Sequence, residues 1–123
     1  MDSDILELQK KIQSNNILLR KHWAAKARDK KEWALLVRSQ MRLKKIRKAK
    51  DKEKFTIMII SYRKRLIDID NLWGGCKQLI DALTEEELIY DDSAKYVDLK
   101  IEQYKSKQDH TMIIRKETNE YNK

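Results

Sequence analysis

Residues Phe55 to Tyr62 (FTIMIISY) form a continuous apolar, β-branched run of strand length. A run without polar alternation predicts a strand covered on both faces, which is the place of a central strand in a sheet. The other elements must pack around it. From about Arg20 to Lys48 the residues Trp23, Ala27, Ala34, Val37 and Met41 recur every three or four positions, the stripe of an amphipathic helix with Lys and Arg on its other side. Leu72, Cys76, Leu79, Ile80 and Leu83 make a second helical stripe that ends before Glu85-Glu86-Glu87. Leu6, Leu8 and Ile12 alternate within residues 4–12 and suggest a strand, with a short helix from Ser3 or Asp4 as the alternative. Val97, Leu99 and Ile101 alternate with Asp98, Lys100 and Glu102 in a half-buried strand, and Met112 to Arg115 make a shorter one before a polar tail. The expected fold is α+β: a small mixed β-sheet packed with helices, in one domain spanning residues 1–123.

Several chemistries are excluded. Proline is absent and the two glycines, Gly74 and Gly75, are adjacent, so phosphate-cradling loops of the GxGxxG or GxxxxGK[ST] type cannot be built. Cys76 has no disulfide partner, and with only His22 and His110 it cannot complete a four-ligand zinc site of Cys and His. A reducing, cytoplasmic setting suits such a chain. No apolar run reaches the ~18 residues of a membrane span, and Asp2, Asp4 and Glu7 make the amino terminus too acidic for a signal peptide. Ser14, Ser61 and Ser93 lack a nucleophile elbow. His22 suits a helix-terminal or packing role, and Trp23 and Trp33, ten residues apart, suit core packing, with stacking on an unpaired base as the alternative.

Charge is divided along the chain. The formal net charge is +8, but residues 1–54 carry 17 basic and 7 acidic side chains, whereas residues 66–104 carry 3 basic and 10 acidic. The stretch Arg42 to Lys54 is a low-complexity basic segment, expected as a frayed helix end and loop. A basic surface alone suggests polyanion binding, and an acidic island within it suggests metal-dependent chemistry on the polyanion; two solvated faces are the plainer alternative.

Within that island Asp68 and Asp70 follow the apolar strand one residue apart, a spacing that in extended chain puts both carboxylates on one side. Asp91 and Asp92 come about twenty residues later, beyond a helix that could return the chain to the end of the first strand. Oxygen ligands from two loops suit Mg²⁺, which favours carboxylates together with phosphate oxygens. An EF-hand beginning at Asp68 fails, because Trp73 and Leu79 stand where Gly and Glu are required. Spacing alone leaves surface acids as the alternative.

The order Asp68-Ile69-Asp70-Asn71-Leu72, Lys77, Asp81-Ala82-Leu83, Asp91-Asp92 resembles the signature of the RusA family of Holliday junction resolvases: DxDN, a lysine, a DAL-like step four residues beyond it, and DD about ten further on. The insertion Trp73-Gly74-Gly75 and the Asn16–Trp33 stretch resemble its phage-type branch, so the likeness covers roughly residues 14–100. Two departures stand out: Arg63-Lys64-Arg65 is displaced from the first Asp by Leu66 and Ile67, and no proline precedes the amino-terminal Asn. The resemblance implies a Mg²⁺-dependent endodeoxyribonuclease, with Mn²⁺ able to substitute, that resolves four-way junctions in recombination and repair as a homodimer in a cytoplasm, in the phage-type case that of the host. By residue it implies Asp68, Asp70 and Asp92 as catalytic metal ligands, Lys77 as the catalytic lysine, and Asp81 and Asp91 as supporting acids. Arg20, Lys21, Lys44, Lys45, Arg47 and Lys48, with Arg63, Lys64 and Arg65, would hold duplex arms through phosphates. The competing expectation is a noncatalytic basic nucleic-acid-binding module whose acids are counter-charge.

Overall fold

A computed structural model describes residues 3–118; the polar tail beyond them lies outside the described residues. The elements run β1 (Asp4–Leu8), α1 (Asn15–Arg20), α2 (Trp23–Leu43), β2 (Phe55–Arg63), α3 (Ile69–Gly75), α4 (Lys77–Glu85), β3 (Val97–Lys105) and β4 (His110–Glu117). The fold is α+β, as expected. One mixed sheet has the order β1-β4-β2-β3, in which β2 pairs parallel with β3 and antiparallel with β4, and β1 closes the other edge antiparallel to β4. The strand anticipated as central is an interior one. β2–α3–α4–β3 is thus a parallel crossover unit, whose helices let β3 start again at the end where β2 began.

Burial alternates strictly along β2: Phe55, Ile57, Ile59, Ser61 and Arg63 are buried, while Thr56, Met58, Ile60 and Tyr62 are half-exposed. The expectation that both faces are covered is therefore corrected. Helices lie on one face only, where Trp33 and Val37 of α2, Leu72 of α3, and Leu79 and Leu83 of α4 join Leu6, Leu8, Ile57, Ile59, Ile101 and Ile113 in a single core. Fully burying each of these large side chains contributes about 1.5–3 kcal/mol. The β-branched composition of β2 suits the pleat on either face, so the run reads alike whether or not its second face is covered.

α2 starts at His22, whose Nδ1 accepts from the Ala24 amide at 3.2 Å, the helix-terminal role expected of it. It stops at Leu43, short of the expected Lys48, because Lys45 turns to a φ of 55°. Its buried residues are Trp33, Ala34, Val37 and Met41, so the amino-terminal half overhangs the core. Trp23 is consequently 74% exposed, against the expectation of core packing. None of the described helices is long and apolar enough to cross a membrane.

Candidate active site and nucleic-acid interface

α3 and α4 form one nearly continuous helical run, because Cys76 between them keeps right-handed helical geometry and its amide and carbonyl bond to Leu72 and Ile80. Its buried stripe is Leu72, Cys76, Leu79 and Leu83. Asp70, Trp73, Lys77 and Asp81, spaced by three and four, share the opposite, solvent-facing stripe. Asp68 occupies the N-cap of α3, yet its carboxylate makes no capping hydrogen bond. The adjacent glycines have a structural task here: a Cβ on Gly75 would overlap the Gln13 carbonyl oxygen, and one on Gly74 would lie 2.6 Å from Cγ of Asn15. Glycine lets the helix press against the β1–α1 connection. Cys76 is buried, and desolvation pushes its thiol up to about 12, so it supplies no nucleophile.

Four of the acids singled out by sequence share an electrostatic peculiarity. Elsewhere carboxylates are engaged: Asp4 with Arg115, Asp29 with Lys10 and Lys21, Glu53 and Glu117 with Arg47, Glu86 with Arg38, and Glu87 with Lys48. Asp91 accepts from the Ser93 amide at 3.3 Å. Among the described residues the carboxylates of Asp68, Asp70, Asp81 and Asp92 have no hydrogen-bond or ion-pair partner, and that of Asp98 is the one further carboxylate in that condition. In a protein of charge +8 this leaves negative charge uncompensated where cations are in excess.

The structure does not bring all of the expected metal ligands together. Ile67, next to Asp68, is pinned by the Gln103 side chain through bonds of 2.7 and 3.1 Å, at the carboxyl end of β3. Asp91 and Asp92 lie in the connection that enters β3 at its amino end, four residues ahead of the strand, where the Tyr96 carbonyl accepts from the Phe55 amide. The parallel register Phe55↔Val97 through Arg63↔Lys105 fixes these as opposite ends. The six residue steps from Val97 to Gln103 alone span about 20 Å. The expected return of the second loop to the first strand's end is therefore corrected: a helical crossover between parallel strands delivers it to the other end. Asp70 also lies in the first turn of α3 rather than in extended chain, so the expected same-side argument for Asp68 and Asp70 does not apply. Among the described residues no three His, Cys, Asp or Glu side chains converge on a metal position. Asp68, Asp70 and Asp92 do not form a three-carboxylate set within one chain; Asp68 and Asp70 remain as neighbouring exposed acids.

The expected DNA-contacting residues divide similarly. Lys64 and Arg65 are exposed at the end of β2, close to the start of α3, and Arg20 and Lys45 are exposed as well. Lys21 is drawn to Asp29 at 2.5 Å, Lys44 to the Ile5 carbonyl at 2.9 Å, and Lys48 to Glu87 at 2.8 Å. Arg47 bonds both Glu53 and Glu117, and these carboxylates raise its pKa. Arg63 is a correction. It is 5% exposed, on the core face of β2, and donates to the carbonyl oxygens of Ile12 and Arg65, so it cannot meet a phosphate. Burial lowers its pKa.

Sequence reasoning missed Lys105 and Lys107, which are exposed at the same sheet end as Lys64 and Arg65. Their signal is the register of β2 against β3, which a linear pattern does not carry. It also missed Lys26, which joins Lys77 and Asp81 in lining a cleft between α1, the overhanging part of α2 and the α3–α4 run. Set against known families and curated proteins, the chain matches no family model and no curated relative.

Proposed function

We propose that this chain is a Mg²⁺-dependent structure-selective endodeoxyribonuclease acting on branched DNA, four-way junctions in particular, as the resemblance to the RusA family implies. The observation that carries the reading is the set of unpartnered carboxylates Asp68, Asp70, Asp81 and Asp92 in a strongly basic protein whose other described carboxylates, Asp98 apart, are engaged. Carboxylates that no protein cation engages are free to hold a cation from solution. Asp68 and Asp70 would hold Mg²⁺ or Mn²⁺, an ion that accepts one or two carboxylates alongside substrate phosphates. Such an ion supplies Lewis-acid polarisation of phosphate and a bound water of lowered pKa. Lys77 lies about 10 Å along the same helical stripe from Asp70, placed to neutralise a bound phosphate. Exposed Lys64, Arg65, Lys105 and Lys107 at the sheet end would position duplex arms without reading bases.

A homodimer completes the reading. The helix-free sheet face presents Ile5, Met58, Ile60, Met112 and Ile114, all incompletely buried. A two-fold axis across the strands at the level of Ile59 lays Met58 of one copy on Ile60 of the other, Ile114 on Met112, and Lys100 against Glu102. The four-stranded face projects about 500 Å², and with side-chain relief it approaches the ~800 Å² per partner of a stable interface. The same rotation runs the strands antiparallel, setting the Asp68 end of one copy beside the Asp92 end of the other.

The test is a labelled four-way junction beside linear duplex, incubated with pure protein in Mg²⁺ and in EDTA. Paired nicks in the junction alone, abolished by EDTA, support the proposal. Binding without cleavage in either Mg²⁺ or Mn²⁺ sinks it in favour of a noncatalytic nucleic-acid-binding module, the reading that the absence of a three-acid cluster within the described residues of one chain favours.

A further inference from the structure

The cleft beside the helical stripe has a volume of about 450 Å³. Its lining combines the aliphatic side chains of Leu18, Leu19 and Ala27 with the charged groups of Lys26, Lys77 and Asp81. Leu18 is nearly buried, but Leu19 is 67% exposed, a large apolar side chain left facing solvent. Lys30, also in the lining, is satisfied by Glu85 at 3.2 Å, whereas the side chains of Lys26, Lys77 and Asp81 have no ion-pair or hydrogen-bond partner among the described residues. The shape persists because Gln78 donates to the Lys26 carbonyl at 3.1 Å, tying α4 to α2 beneath the opening.

These features ask for a ligand with a flat apolar body, an anionic group and at least one N–H donor. The volume is that of a small-molecule site and admits one nucleotide but no double helix. An unpaired nucleotide meets every requirement: its base covers the aliphatic side chains, its phosphate neutralises the two amines, and its pairing-edge N–H, engaged within a duplex, is free to reach a carboxylate. Asp81 among cations is otherwise unhelpful to a plain phosphate site, and so it discriminates between a nucleotide and a bare anion.

We propose that this cleft binds a single unpaired nucleotide of a DNA strand, its base on Leu18, Leu19 and Ala27, its phosphate between Lys26 and Lys77, and its pairing edge on Asp81. The inference rests on the reading that the chain binds branched DNA, where unpaired nucleotides occur at the crossing point. It is tested on the full chain, without divalent metal, by following the methyl resonances of Leu18, Leu19 and Ala27 while adding an eight-nucleotide single strand of mixed sequence, the same strand as duplex, or inorganic phosphate. The single strand should shift these methyls, duplex and phosphate at equal concentration should not, and Lys26→Glu should weaken the single-strand response by about tenfold or more while leaving the free spectrum folded. Methyls that stay still with single strand, or that move equally with duplex or phosphate, overturn the proposal. Junction cleavage is scored separately: shifted methyls without cleavage sustain the cleft and sink the nuclease reading, and cleavage with unmoved methyls does the reverse.

Discussion

The Arg63 guanidinium donates at 2.6 Å to the main-chain carbonyl oxygen of Ile12, joining the end of β2 to the chain that leaves β1. It also meets Ser61 Oγ at 3.1 Å and the Arg65 carbonyl at 2.9 Å, all with no carboxylate in ion-pair contact among the described residues. Its burial is tolerated because the donors are spent on backbone groups that would otherwise be unsatisfied. Arg63→Met should therefore cost about 1–3 kcal/mol in urea unfolding, the penalty for orphaned buried acceptors. The salt dependence of DNA binding should be unchanged by it, whereas Lys64→Ala with Arg65→Ala should flatten that slope by about one phosphate contact per side chain. An unfolding midpoint equal to wild type would mean that the Ile12 contact contributes nothing.

At Gly75 the obstacle to a side chain is backbone, the Gln13 carbonyl, while at Gly74 it is the movable side chain of Asn15. Gly75→Ala should destabilise by about 1–3 kcal/mol or more, as overpacking against a fixed group does, and Gly74→Ala by clearly less. Thermal melts of the two variants side by side check the order; equal losses would refute this account of the glycine pair.

The contrast between these positions also shows what a linear reading can reach. Helical stripes and the apolar β2 run are local periodicities, so Val37, Met41, Leu72 and Leu79 were legible as core, and the motif acids were legible by order and spacing. What was not legible depends on which strand pairs with which. The parallel β2–β3 register decides that Asp92 lies far from Asp68 and that Lys105 lies near Arg65, while Arg63 points to the core because it is in phase with Ile57 and Ile59 along β2. Trp23 misled for a related reason: its spacing continues the α2 stripe, but the helix extends past the layer it packs on, so periodicity persists where the partner surface has ended.

Arg47 fixes the basic loop by bonding Glu53 at 2.7 and 2.8 Å and Glu117 at 2.9 Å. The Arg47 guanidinium, with the Lys50 amide, holds the Glu53 carboxyl down to about 2 from an ordinary 4.5. For an acid depressed in the folded state, the stabilisation is complete above the unfolded value and is lost as pH falls through the folded one. The stability gap between wild type and Arg47→Gln should thus be largest near neutral pH, about 1 kcal/mol or less because Arg47 is partly exposed. It should narrow as pH falls from 4.5 toward about 2. Urea titrations at several pH values check this, and a gap that widens on acidification contradicts it.

If the helix-free sheet face joins two copies, sedimentation at micromolar concentration should show a species of about twice the 14.8 kDa chain mass. Ile60→Lys and Ile114→Lys each put a charge where the apolar rows meet, and each should yield a monomer that keeps its secondary structure, since neither side chain belongs to the main core. A wild-type chain that sediments as a monomer both free and on junction DNA removes this interface.

Asp70→Asn separates catalysis from charge balance. The substitution keeps shape and removes one negative charge from an exposed carboxylate that has no protein partner, so no ion pair is lost and the fold should be unaffected. If Asp70 binds metal beside a substrate phosphate, losing it forfeits Lewis-acid and water-activating roles, and junction cleavage should fall by orders of magnitude. Junction affinity in EDTA should hold or rise, because repulsion of the DNA backbone is reduced. Asp92→Asn should do the same, and mixing inactive Asp70→Asn with inactive Asp92→Asn chains should restore measurable cleavage if the two acids act from different copies, since mixed dimers then carry one intact pair. Asp98→Asn is the control, being equally unpartnered and acidic but on β3 outside the motif. Wild-type cleavage by Asp70→Asn in Mg²⁺, or equal loss in Asp98→Asn, would show that these carboxylates are surface charge and would withdraw the metal site from this end of the sheet.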